Sequence, residues 1–121
     1  MLYQIRQIQS QPDGNLQVEL ELNAGHAIFR GHFPGQPVLP GACMVQMLRE
    51  VLQQAQGCQL ALQKGSNIKF ISVIVPDNGK LLTFQIQAKQ ANDVLSINST
   101  LFAGEVASMK FSGTYRKIVI S

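Results

Sequence analysis

The sequence predicts an α+β fold in which one long central helix is wrapped by a curved antiparallel sheet. Three observations favour it: a helical apolar pattern over residues 41–56, a strand hairpin before this helix, and four strand-like segments after it. A helix this apolar must be covered, and the flanking strands provide the sheet that covers it. With 121 residues, the chain has room for one domain over residues 1–121, large enough to bury a core and too short for two.

A β-hairpin is predicted at the start of the chain. Residues 17–22 alternate apolar and polar side chains regularly, and residues 3–10 do so less regularly. Between them the sequence Pro-Asp-Gly-Asn at 12–15 is typical of a turn. Residues 27–29 are expected to form a short extended segment. We expect His26 to be exposed or to act as a cap, because nothing around it indicates a shaped site.

Apolar side chains at intervals of three and four residues predict a helix from Gly41 to about Gln56, and Gly57 is its expected C-terminal stop. The apolar face consists of Met44, Val45, Met47, Leu48, Val51, Leu52 and Ala55. The polar face carries Gln46, Arg49, Glu50 and Gln53. We expect Met44 and Met47 to be core residues rather than substrate contacts.

The rest of the chain is predicted to be strands. They cover residues 63–75, 80–89, 94–102 and 105–120, and turn-forming residues separate them at 76–79, 91–93 and 103–104.

Cys43 and Cys58 lie at opposite ends of the predicted helix, about 22 Å apart, so they cannot pair within it. Neither has a second ligand at metal spacing, and we expect no metal and no cofactor.

Composition and charge exclude several functions. The net charge is +3 and the isoelectric point is near 9.1, but the ten Lys and Arg residues are scattered from Arg6 to Lys117. Nucleic-acid binding favours clustered basic residues, so it is not predicted. No stretch approaches the ~20 apolar residues of a membrane span, and the first residues lack a signal-peptide pattern. A cytoplasmic protein without a membrane contact is therefore expected.

The segment from Arg30 to Gly41 reads RGHFPGQPVLPG and predicts a shaped loop. Its twelve residues include three prolines and three glycines, which are unsuited to the interior of a helix or strand. Proline at residue 40 also suits the start of a helix. The loop therefore presents His32, a titratable side chain, close to the free backbone N–H groups of a helix N-terminus.

The string GHFPGQPVLPGA, residues 31–42, resembles the signature of the 3-hydroxyacyl-acyl-carrier-protein dehydratases, a hotdog-fold family of lyases. Looser similarity continues at residues 69–70, 75–77 and 104–107, so the resemblance covers most of the chain after about residue 26. Periodicity alone does not separate the hotdog fold from another α+β roll, and the resemblance makes that choice.

The resemblance implies dehydration of a 3-hydroxyacyl thioester on acyl carrier protein, in fatty acid or related lipid synthesis. His32 would remove the proton from C2, and the N–H group at or just after Gly41 would hold the thioester oxygen as negative charge builds there. Phe33, Val38 and Phe70 would line the acyl chain. The glycine at residue 41 would also let the thioester approach closely.

The family resemblance also implies a homodimer or higher homo-oligomer, in which each site joins His32 of one chain to residue 46 of the other. The family has an acidic residue there, and this chain has Gln46. An amide can orient a hydroxyl group or a water molecule, but it cannot donate a proton as a carboxylic acid does. Either His32 makes both proton transfers, or Glu50 acts through a water.

Three functions therefore remain open. The first is a dehydratase weakened by Gln46. The second is a hotdog acyl thioesterase that uses Glu50, since this is the only carboxylate of the predicted helix. The third is a noncatalytic subunit that binds acyl thioesters and pairs with an active homologue. Restoring the acid with Gln46→Glu is expected to raise the rate in the first case, provided that the missing acid limits it.

Overall fold

The computed structural model describes residues 1–31, 35–77 and 79–118 and has the predicted α+β architecture. Its elements are β1 (Tyr3–Ser10), β2 (Leu16–Leu22), α1 (Ile28–Gly31), α2 (Gly41–Gln56), β3 (Gln59–Phe70), β4 (Leu81–Ala91), β5 (Val94–Ala103) and β6 (Val106–Ile118). The strands form one six-stranded sheet in the order β1-β2-β4-β5-β6-β3, and each neighbouring pair is antiparallel.

The core lies between α2 and one face of this sheet. Alternate residues of β2 are buried, as a strand with one covered face requires. The buried residues of α2 are Met44, Met47, Leu48, Val51 and Leu52. Met44 is 3% exposed and Met47 is 1% exposed, which confirms both as core residues. The predicted helix from Gly41 to Gln56 is also confirmed.

The predicted hairpin at the start of the chain is confirmed, and a bulge explains its less regular strand. The pairing of β1 with β2 shifts by one residue between Ile5 and Gln7. An extra residue in one strand reverses the side on which the later residues point. Ile5 and Ile8 consequently both pack against the core, although they are three residues apart.

The prediction of an extended segment over residues 27–29 was wrong. Ile28 is the first residue of the short helix α1, and Phe29 is buried. The Nδ1 atom of His26 accepts a hydrogen bond from the backbone N–H of Ile28 at 3.0 Å. This bond satisfies a donor that the first turn of a helix leaves free. The prediction that His26 acts as a cap is thereby confirmed.

The third strand begins and ends earlier than the predicted range of residues 63–75. Gly57 ends α2 with φ 68°, as predicted. The backbone N–H of Leu60 then donates to Oε1 of Gln53 at 2.9 Å, so β3 begins almost directly after the helix. Residues 71–75 are not part of the strand. Gln53, predicted on the polar face, is thus a link between α2 and β3.

The last three strands lie within two residues of their predicted bounds, over the residues that the structure describes. They are joined by tight turns in which Asn92 and Gly104 have φ of 57° and 62°. Both cysteines are free thiols. In the described ranges, no helix has the length and apolarity needed to cross a membrane.

Candidate active site

The N-terminus of α2 lies at the end of the predicted loop, and its first backbone N–H groups have no hydrogen-bond partner among the described residues. Pro40 precedes the helix in an extended conformation, and among the described residues no side chain caps this end. The N–H groups of Cys43 and Met44 bond to the carbonyl oxygen of Pro40 at 3.0 and 3.2 Å. Gly41 and Ala42 come before them, where a helix offers no partner for the backbone N–H.

An apolar cavity of about 600 Å³ lies beside this helix end. It is lined by Val38, Leu39, Gly41, Ala42, Met44, Phe70, Ile71, Ser72 and Val73. The structure therefore brings together Val38, Gly41 and Phe70, three residues that were predicted to bind substrate. We refer to this space as the acyl cavity because its lining suits a hydrocarbon chain.

Gly41 packs directly against the ring of Phe70. A Cβ atom on Gly41 would come within 2.8 Å of Cζ of Phe70. The ring of Phe70 thus lies beside Gly41, and the prediction that the missing side chain lets the thioester approach closely stays a prediction. The ring is an exposed, movable side chain, since Phe70 is 52% exposed.

No acid or base lines the acyl cavity among the described residues. Its polar side chain is that of Ser72, whose hydroxyl donates to the carbonyl oxygen of Ala107 at 2.9 Å. The predicted base His32 and the predicted wall residue Phe33 lie outside the described residues, and their roles stay predictions. The described lining of this cavity therefore contains no group suited to proton transfer.

Gln46 lies in a second cavity, on a different side of α2. This space has a volume of about 310 Å³ and is lined by Met1, Leu2, Tyr3, His26, Ile28, Cys43, Gln46, Met47 and Glu50. None of the predicted substrate-binding residues in the acyl cavity belongs to it. Within one chain, the structure does not bring Gln46 to Gly41, Val38 and Phe70.

Glu50 is the centre of a small hydrogen-bonded group in this second cavity. Its Oε2 atom accepts a bond from Nε2 of Gln46 at 3.2 Å. Its Oε1 atom accepts a bond from the hydroxyl of Tyr3 at 2.8 Å. Sequence reasoning identified Gln46 and Glu50 but missed Tyr3. Tyr3 lies 47 residues from Glu50, and only the tertiary structure brings them into contact.

The surroundings of Glu50 keep two neighbouring groups in their protonated forms. Burial raises the pKa of Tyr3 far above its usual range, and the hydrogen bond and negative charge of Glu50 raise it further. Burial also raises the pKa of the Cys43 thiol, again with a contribution from Glu50. Tyr3 is therefore a hydrogen-bond donor at neutral pH, and Cys43 is a neutral thiol.

A long helix packed on a six-stranded antiparallel sheet is the hotdog arrangement, and solved structures share it. The dehydratase heterocomplex ApeI:P from Xenorhabdus doucetiae matches 96% of this chain and 99% of its own with a TM-score of 0.76 at 20% identity. A hypothetical thioesterase with coenzyme A from Streptococcus pneumoniae matches 96% of this chain and 85% of its own, with a TM-score of 0.68 at 13% identity. These likenesses define the fold class.

Residues 7–112 match the ApeI-like family, described as ApeI dehydratase. The 3-hydroxyacyl-[acyl-carrier-protein] dehydratase FabZ of Levilactobacillus brevis is 30% identical over 105 residues, covering 70% of this chain and 70% of that protein. The FabZ of Clostridium acetobutylicum is 33% identical over 67 residues, 50% of this chain and 46% of its own length, so that match spans about half of the relative. The chain belongs to the ApeI-like dehydratase family, which confirms the resemblance seen in the loop motif.

Proposed function

We propose that this protein dehydrates 3-hydroxyacyl thioesters carried by acyl carrier protein, in fatty acid or related lipid synthesis in the cytoplasm. One observation carries the proposal: an apolar cavity of about 600 Å³ adjoins the N-terminus of α2, directly after the dehydratase motif. The FabZ relatives are named for this substrate class. A net charge of +3 also suits an acidic carrier protein as partner.

The proposed reaction begins when neutral His32 removes the proton from C2 of the substrate. Negative charge then builds on the thioester oxygen, where the N–H groups of the first helical turn at Gly41 would stabilise it. The double bond forms between C2 and C3, and the C3–O bond breaks. His32 returns its proton to the leaving oxygen, so that water departs and the base is regenerated. Val38 and Phe70 would contact the acyl chain.

We also propose a homodimer or higher homo-oligomer, with two sites per dimer, each formed by His32 of one chain and Gln46 of the other. The strand β3 lies at the end of the sheet, and residues 62–70 are all exposed. Val73 just beyond it is 70% exposed. A second copy along this edge would cover the exposed apolar side chains of Leu62, Ile68, Phe70 and Val73. Two chains would also account for the separation of Gln46 from the acyl cavity.

The direct test is incubation with 3-hydroxyacyl and acyl forms of acyl carrier protein, followed by mass spectrometry of the carrier. We expect loss of water from the 3-hydroxyacyl form. Release of free acid would support the thioesterase instead, and binding without turnover would support a noncatalytic subunit.

The variant His32→Ala tests the proposed base in the same assay. Its dehydration rate should fall by at least about 10²-fold, because proton abstraction loses its base. Binding of the acyl thioester should stay, since the acyl cavity and the donors at Gly41 remain. Unchanged turnover in a normally folded variant would remove His32 from the mechanism.

A further inference from the structure

The hydrogen bonds of Glu50 fix how the amide of Gln46 is turned. A carboxylate accepts hydrogen bonds and donates none, so the group of Gln46 that faces Oε2 of Glu50 must be the nitrogen, at 3.2 Å. The carbonyl oxygen of Gln46 is then left free of Glu50. The orientation of this amide therefore follows from the chemistry of its partner.

Tyr3 holds the carboxylate from the opposite side. Its hydroxyl donates to Oε1 of Glu50 at 2.8 Å in a partly buried contact between β1 and α2. With each carboxylate oxygen bonded to a different donor, rotation of the Glu50 side chain would break one bond or the other. Glu50 is half-buried and Gln46 is exposed. Two hydrogen bonds thus link half-buried Tyr3 through Glu50 to exposed Gln46.

We propose that Glu50 and Tyr3 are positioning residues, which hold the carbonyl oxygen of Gln46 ready to accept a hydrogen bond from the 3-hydroxyl group of the substrate. The proposal rests on the proposed dehydration. Gln46 directs the hydroxyl so that its oxygen can take the proton returned by His32. Gln46 and Glu50 neither gain nor lose a proton, so His32 alone transfers protons in both directions.

The proposal requires an amide at residue 46 and a carboxylate at residue 50, because the amide nitrogen donates to the carboxylate. The variant Gln46→Glu would place two carboxylates in contact, and such a pair shares a proton or separates. Replacing Glu50 as well, in Gln46→Glu/Glu50→Gln, restores one carboxylate and one amide with their places exchanged. Tyr3 could donate to the oxygen of the new amide at residue 50. The nitrogen of that amide could donate to the new carboxylate at residue 46.

The first experiment compares dehydration by the wild type, Glu50→Gln, Tyr3→Phe, Gln46→Glu and the exchanged double variant on one 3-hydroxyacyl carrier-protein substrate. We expect Glu50→Gln to lower kcat by about 10-fold with little change in KM, because small errors in the placement of a reacting group lower rates by up to about 10²-fold. Tyr3→Phe should have a smaller effect in the same direction. Glu19→Gln, the same change at a half-buried residue of β2, is the matched control and should behave as the wild type.

The exchanged pair separates positioning from a structural role. Gln46→Glu alone should be slow near neutral pH, and its rate should depend on pH differently from the wild type because its paired carboxylates titrate together. The double variant should recover most of the lost kcat. The other titratable groups at this cavity are the amino terminus of Met1 and the side chains of Tyr3, His26 and Cys43, and all of them are the same in both variants. A double variant no faster than Gln46→Glu, together with an unchanged Glu50→Gln, would overturn the proposal.

A second measurement does not depend on turnover. In a Tyr115→Phe background, Tyr3 is the one tyrosine left of the two in the sequence. Its ionisation can then be followed by ultraviolet absorbance as pH rises. Glu50→Gln should move this ionisation to lower pH, since the negative charge of Glu50 is removed. If wild type shows no dehydration but the shift is present, the proposed function fails while the Tyr3–Glu50 contact stands. If the shift is absent, the positioning role fails.

Discussion

The hydroxyl of Tyr115 is buried and has no hydrogen-bond partner within the described part of the chain. The ring itself packs well, stacked on Phe111 with centroids 5.8 Å apart. We expect Tyr115→Phe to leave the free energy of unfolding unchanged or to raise it by up to about 1 kcal/mol, because a buried unpaired polar group is removed. Denaturant unfolding near neutral pH measures this.

Tyr115 also gives a prediction for alkaline pH. Burial raises its pKa to about 12, with nearby Arg49 acting in the opposite direction. A raised pKa in the folded state stabilises the protein below the unfolded pKa of about 10, and this contribution is lost as pH rises towards 12. Tyr115→Phe should therefore lose less stability than the wild type between about pH 9 and 11. An equal loss in both proteins would contradict this assignment.

Cys43 is expected to react slowly with alkylating reagents. Its pKa is raised by burial and by the negative charge of Glu50, and the thiolate is the reactive form. Glu50→Gln should speed alkylation of Cys43 by about two- to five-fold near pH 8, since the charge that opposes ionisation is gone. Peptide mapping of iodoacetamide-treated protein separates Cys43 from Cys58, which lies at the other end of α2 and serves as the internal control. Equal rates at Cys43 in both proteins would show that Glu50 does not influence this thiol.

At the scale of elements, the C-terminus of α2 depends on one glycine. Gly57 has φ 68° and its N–H donates to the carbonyl oxygen of Gln53 at 2.9 Å. Gly57→Ala should lower the free energy of unfolding by about 1 kcal/mol, because a Cβ atom disfavours this left-handed conformation. Gly57→Asn should lower the free energy of unfolding by less, since asparagine adopts the left-handed conformation more readily. Similar losses in the two variants would mean that the backbone conformation is not the cause.

The sequence predicted those elements whose pattern is local. The helix over residues 41–56 was found because its apolar spacing, its leading proline and its final glycine all agree. The short helix α1 was missed because four residues are too few to show a period, and because its cap is the Nδ1 atom of a histidine, which is not one of the usual capping residues. The start of β3 was misplaced because its first residues are fixed by Gln53, a contact outside the strand.

The candidate site was predicted in the same uneven way. Val38 and Gly41 belong to one continuous motif, and the family resemblance added Phe70. The sequence therefore allowed these three residues of one cavity to be predicted together. Gln46 and Glu50 were identifiable as neighbours on a helix because they are four residues apart. Tyr3 could not be identified as their neighbour, since no local pattern indicates which helix residue a distant strand will contact. Tertiary contacts of this kind require the fold.

At the scale of the whole molecule, the exposed end of the sheet gives a prediction about assembly. Ile71 and Val73 are 48% and 70% exposed beside β3. The double variant Ile71→Lys/Val73→Lys should shift the proposed dimer to monomer by at least about 10-fold in Kd, because charge would be buried in the interface. Light scattering coupled to size exclusion measures the mass over a range of concentrations.

Leu81→Lys is the control for this assembly experiment. Leu81 is 48% exposed, like Ile71, but it lies on β4, which β5 and β6 separate from β3. The control should keep the mass of the wild type. A wild type that is already monomeric at micromolar concentration, or a monomeric Leu81→Lys, would contradict an interface along β3.

The position of β3 in the sheet also affects how the chain folds as it is synthesised. Gln59 pairs with Ile118, and Phe70 pairs with Met109, so β3 finds its partner only after β6 has left the ribosome. The hairpins β1–β2 and β4–β5 can form earlier from neighbouring residues. Until β6 emerges, β3 has both edges open and carries Leu62, Ile68 and Phe70 exposed. A nascent chain is therefore most exposed to aggregation after β3 and before β6 has been synthesised, and pauses in translation between these two strands would prolong that interval.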